Sequence, residues 1–147
     1  MDRAAALLFT LLAGGLVALQ PPANALVARL VGSLGAAFVS LTLSTTIVGV
    51  LLLVFGDPSQ LRGLSQFRPV HVLGGIAGAT IVVVSLIAVR SLGAGGVTAA
   101  LVAMQLSVSA LLDRLGLLGL EKTPLGVQGW VAVVLLLSGT VLMVTRK

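Results

Sequence analysis

Cysteine and tyrosine are absent from this chain, histidine and tryptophan occur once each, as His71 and Trp130, and only 9% of the residues are charged. Without cysteine there is neither a disulfide framework nor a thiolate metal site. One histidine cannot build a histidine cluster. No Ser-His-Asp set, phosphate-cradling glycine-lysine loop or metal-ligand spacing occurs. The expectation is a protein that is not an enzyme and needs no cofactor and no metal. Aromatic residues make up 3% of the chain, which argues against a broad aromatic pocket for organic cations. No acid lies in the middle of an apolar run, so a deeply buried carboxylate proton relay is not evident.

What is present is apolar: 58% of 147 residues are hydrophobic, with a mean hydropathy of +1.19. A soluble domain has roughly 45–50% apolar and about 25% charged residues. A chain this short cannot hide so much apolar surface in one water-soluble core, so lipid is its natural solvent. The net charge is +5, but the basic residues stand singly between apolar runs, with no basic stripe and no interleaved aromatics. They read as helix-end anchors at the headgroups rather than as a nucleic-acid surface.

A bilayer core about 30 Å thick needs roughly 20 mostly apolar residues per spanning helix. Five stretches qualify: residues 4–28, 36–55, 70–89, 97–112 and 127–145. The breaks carry turn chemistry: Gly32-Ser33-Leu34-Gly35, then Gly56-Asp57-Pro58-Ser59 through Arg68-Pro69, a glycine-rich link from Ser91 to Gly96, Asp113-Arg114, and Thr123-Pro124. The fold class read here is an all-α membrane protein, a five-transmembrane-helix bundle forming one integral domain over 1–147, with no convincing internal repeat. A rival reading of the first segment is a secretory signal, from Arg3, an apolar run and Ala23-Asn24-Ala25.

Five spans place Arg3, Arg62, Arg68, Arg114 and Lys122 on one side and Arg29, Arg90, Arg146 and Lys147 on the other. Orientation follows an excess of Lys and Arg on the cytoplasmic side, and five against four barely chooses. Either one or two residues dominate, or a loop is misplaced, or copies insert both ways and pair antiparallel.

Polar residues inside membranes are expensive and invite a functional question. Gln20 and Asn24 share a face of the first span, with Pro21-Pro22 between them freeing backbone carbonyls. Such backbone is tolerated at membrane depth where it is buried in protein or lines a wet cavity. The pair suggests a solute path; the plain alternative is an interhelical amide bond. Ser40, Thr42, Ser44, Thr45 and Thr46 crowd the second span, where hydroxyls line a path or merely bond their own helix. Gln105, Ser109 and Asp113 form a stripe on the fourth. Asp113 is a candidate coupling group, or half of a surface ion pair with Arg114. Small residues mark close packing: Gly74 and Gly78 on the third span, Ala99, Ala103 and Ser107 on the fourth, within one chain or between chains.

The run Leu12-Ala13-Gly14, Ala18-Leu19-Gln20, Asn24-Ala25 and Gly32 to Ala37 resembles the opening of the YdcZ-type family, small inner-membrane exporters of the drug/metabolite transporter superfamily. Gly74-Gly75 with Gly78, Arg90 to Ala94, Gln105 with Leu112 to Gly119, and Gly129 with Leu135 to Gly139 extend the likeness over nearly the whole chain. The resemblance implies a five-helix half-transporter in a bacterial-type inner (plasma) membrane. It pairs as a homodimer, antiparallel or not, or with a paralogous half. In the related small multidrug-resistance proteins a first-helix glutamate couples protons to export. Gln20 falls in a comparable place and cannot ionise, which puts proton coupling there in doubt.

The combined expectation is an alternating-access exporter of a small solute, its path lined by Gln20, Asn24, Gln105, Ser40, Ser44 and Ser109. The lipid bilayer, a second copy and a small polar or neutral substrate are the expected partners, with no nucleic acid. A non-transporting membrane subunit, scaffold or assembly protein, and a passive pore, are the alternatives.

Overall fold

The computed structural model describes residues 2–119, 121–123 and 126–145, with no strand among them. Pro124, Arg146 and Lys147, which entered the loop and charge readings above, lie outside the described residues. Three helices carry the chain: α1 over Arg3–Phe55, α2 over Leu73–Leu115 and α3 over Val127–Thr145. Each is long and apolar enough to cross a membrane.

Where five separate spans with glycine-rich loops were expected, α1 and α2 each run through the expected loop and depart from helical backbone at one residue. Those residues are Gly32 (φ 76°, ψ 167°) and Gly93 (φ 69°, ψ 169°). This combination of angles is essentially confined to glycine. Around each break the neighbours stay helical, because low-dielectric surroundings make every unpaired backbone group costly. A second glycine follows three residues later in both cases. A Cβ on Gly35 would come within 3.1 Å of the Val31 side chain, and one on Gly96 within 3.1 Å of Leu92 Cβ. Each corner therefore has one glycine that bends the backbone and one that makes room for the apolar residue just before the bend.

The described residues fall into two compact units, divided after Ala88. In the first, Asp2 caps α1 by accepting the Ala5 N–H at 2.7 Å, a negative charge where the helix dipole favours one. Ala28 before the Gly32 corner and Ala36 and Ala37 after it join Val82 and Leu86 in one apolar cluster, with Val27, Leu41 and Val83 packed on it. Residues on both sides of the Gly32 break thus share one apolar cluster with the helix that carries Val82 and Leu86. Alanines at the corner let that helix approach closely. Beyond Phe55 the chain forms a 3-10 helix, Pro58–Gln66, opened by Asp57, whose carboxylate accepts from the Ser59 N–H at 2.8 Å and hydroxyl at 2.6 Å. His71, the lone histidine, closes the segment: its Nδ1 accepts the Arg68 N–H at 3.1 Å and its ring meets Phe67 edge-on.

In the second unit the start of the 94–115 arm packs antiparallel to α3. A Cβ on Gly95 would reach Met143 Cε at 3.2 Å, and one on Gly96 would reach Val144 at 3.7 Å. One turn further on, the Thr140 hydroxyl meets the Ala99 carbonyl. Gly116 at φ 64° ends α2 in the left-handed conformation that commonly closes helices, and the Thr123 N–H returns to the Asp113 carbonyl at 3.0 Å. Large apolar side chains cover the outside, among them Leu30, Phe55 and Val127, each more than 80% exposed. That surface suits lipid, not water.

Candidate functional site

α1 keeps helical backbone through Pro21 and Pro22. Neither proline has an N–H, so the carbonyls of Val17 and Ala18 lose the donors a regular helix would supply. Pro21 is buried, and Gln20 and Asn24 beside it are half-buried. Among the described residues neither amide makes a side-chain hydrogen bond. The amides therefore stand on the covered side of α1 next to two carbonyls that lack their regular helical donors, with no ionisable group between Leu16 and Ala28. Such a site offers hydrogen bonds and no charge.

The remaining candidates are placed differently. Ser40 is half-buried, while Ser44 is exposed and donates to the Ser40 carbonyl at 2.9 Å. Thr46 does the same to Thr42 at 2.9 Å. These hydroxyls are spent on their own helix, as the plainer reading of that span anticipates. Gln105 and Ser109 lie exposed on α2, with Asp113 half-buried and Arg114 exposed at its end. Gly74 and Gly78 face open space, since a Cβ on either meets nothing within 4 Å. Ala103 is buried, and Ala99 and Ser107 half-buried, with the Ser107 hydroxyl turned to the Ala103 carbonyl at 2.8 Å.

The family described as "Putative inner membrane exporter, YdcZ" matches residues 5–142. The chain belongs to this YdcZ family. The match spans both corners, the proline-bearing segment and most of α3, so the elements described above are those of a multi-pass inner-membrane YdcZ chain. No curated protein and no solved structure matches it.

Two polar groups of this YdcZ chain escaped the sequence reading. Ser85 is buried, 5% exposed, and its Oγ has no hydrogen-bond partner among the described residues. Its signal was a single hydroxyl inside Val82-Val83-Val84-Ser85-Leu86-Ile87, hidden by the length of the apolar run. Thr140 sits between α3 and the 94–115 arm. It borders an open apolar groove of about 500 Å³ lined by Ala99, Ala132, Leu135, Leu136 and Gly139.

Proposed function

We propose that this chain is an exporter of a small uncharged solute, working by alternating access as a homodimer, with five membrane crossings per chain. Membership of an inner-membrane exporter family over residues 5–142 is the observation that carries this reading. The crossing count rests on length. At 1.5 Å per residue the 53 residues of α1 would extend about 80 Å and the 43 of α2 about 65 Å. A core about 30 Å thick holds neither as a straight rod. Breaks at Gly32 and Gly93 divide them into arms of bilayer length, and α3 supplies the fifth crossing.

The path runs past Gln20 and Asn24, half-buried amides with no partner among the described residues. Ser40, half-buried on the second arm of α1 in the same compact unit, is the further candidate for this path. Hydrogen bonding without charge selects polar, neutral molecules, and no metal, cofactor or covalent step enters the cycle. The near balance of basic residues about the five crossings supports pairing of copies inserted in opposite senses. The test is solute flux in proteoliposomes. Gln20→Ala lowers flux at least tenfold if the amide contacts solute at the rate-limiting stage, and unchanged flux removes Gln20 from the path.

A further inference from the structure

A shift of 61 residues carries Arg29, Gly32 and Gly35 onto Arg90, Gly93 and Gly96. The correspondence reaches well beyond these corners. Across residues 16–37 and 77–98, every position exposed in one segment is exposed in the other, and every position covered in one is covered in the other. Further along, Thr46 donates to the Thr42 carbonyl at 2.9 Å, and its counterpart Ser107 donates to that of Ala103 at 2.8 Å. Residues 16–37 and 77–98 thus repeat one helix–corner segment, and the match in exposure ends there.

The repeat sets Asn24 against Ser85, each eight residues before its corner glycine. Eight residues are about 12 Å of helix, which places both inside the hydrocarbon layer. Both belong to the first compact unit. Apart from Gln20, one turn before Asn24, the covered neighbours are apolar: Pro21, Ala25 and Ala28 around Asn24, and Val82, Leu86 and Val89 around Ser85. Ala28, Val82 and Leu86 share one cluster, so these two faces pack into the same core. Ser44 and Ser107 turn their hydroxyls onto their own helix; Ser85 does not, and its buried Oγ is left without a partner. A buried polar group without a hydrogen bond is costly, and here the cost falls at the same register as an unpaired amide in the other copy. No ionisable residue lies within residues 16–28 or 77–89.

We propose that Asn24 and Ser85 form a repeat-related pair that hydrogen-bonds the solute, one group from each copy, and that the ligand is an uncharged molecule bearing hydroxyl or amide groups. The inference rests on the transport reading and adds Ser85 to it, since binding sites of transporters built from repeats gather where the repeats meet, near the bilayer midplane. The native chain has no cysteine, so single replacements need no prior engineering. Asn24→Cys, Ser85→Cys, Gln20→Cys and, on the exposed face, Val84→Cys are placed in proteoliposomes and treated with a small, permanently charged thiosulfonate. Labelling of Asn24→Cys and Ser85→Cys at least tenfold faster than Val84→Cys is expected. Labelling of Gln20→Cys alone overturns the pair and leaves the path standing; labelling of only one of the pair overturns their equivalence; labelling of none overturns both the pair and the transport reading. If a cysteine variant does not fold, hydroxyl-radical footprinting of the unmodified chain decides the point. Oxidation at Leu86, beside Ser85, supports a wetted site, and an unmodified Leu86 contradicts it.

Discussion

The Thr140 hydroxyl lies 3.1 Å from the Ala99 carbonyl on a neighbouring helix and 2.8 Å from the Leu136 carbonyl on its own. One proton is thus divided between an interhelical bond and a local one. Such bonds in membrane proteins contribute about 0.6 kcal/mol on average. Thr140→Val keeps the shape and removes the proton, and the expected loss in a detergent unfolding titration is about 0.6 kcal/mol. A loss several times larger would mean that the contact between α3 and the 94–115 arm depends on this hydroxyl rather than on Gly95, Gly96 and Ala99.

The corners are expected to be far less tolerant. Backbone in the region adopted by Gly32 and Gly93 costs a residue with a side chain about 1–3 kcal/mol. Gly32→Ala and Gly93→Ala should each destabilise by that amount in the same titration. Gly14→Ala, on regular helix with open space around it, should be neutral or slightly stabilising, since alanine is the better helix former. Equal effects at all three positions would remove the special role of the corners.

These corners also mark what the sequence could and could not disclose. Apolar runs with glycine and proline between them located helical segments, and the run 127–145 is helical throughout. The links at 32–35 and 90–96 read as loops because glycine is the residue of loops. In lipid the backbone keeps its hydrogen bonds wherever it can, so each link shrinks to one residue. The repeat was invisible for a related reason. Inside a membrane both covered and exposed positions are apolar, and burial leaves no periodic mark of the kind it leaves in a soluble helix. Of the candidate site, Gln20 and Asn24 were legible as amides flanking two prolines. Ser85 was not, because what marks it is burial without a hydrogen-bond partner among the described residues, which only the folded structure reveals.

The loop after α1 should respond to acid. The Ser59 hydroxyl, and then the Ser59 N–H, hold the Asp57 carboxyl below its ordinary value of 3.8. A carboxyl lowered in the folded state contributes stability that is full above 3.8 and is lost as pH falls through its lowered value. Protection of the Ser59 amide in hydrogen exchange should therefore persist at neutral pH and fade only in strong acid. Asp57→Asn should weaken that protection at pH 7 and remove its acid dependence. Protection that fades near neutrality would assign it to another group.

The central claim is an uncharged solute path through the amide-bearing segment of α1. Its most direct test is stopped-flow flux of uncharged polyols and amides into proteoliposomes, compared with empty liposomes and with an Asn24→Ala, Gln20→Ala double variant. The account predicts saturable, electrically silent flux for at least one such solute, reduced at least tenfold in the double variant. Flux equal to that of empty liposomes for every solute, or flux untouched by loss of both amides, would contradict it.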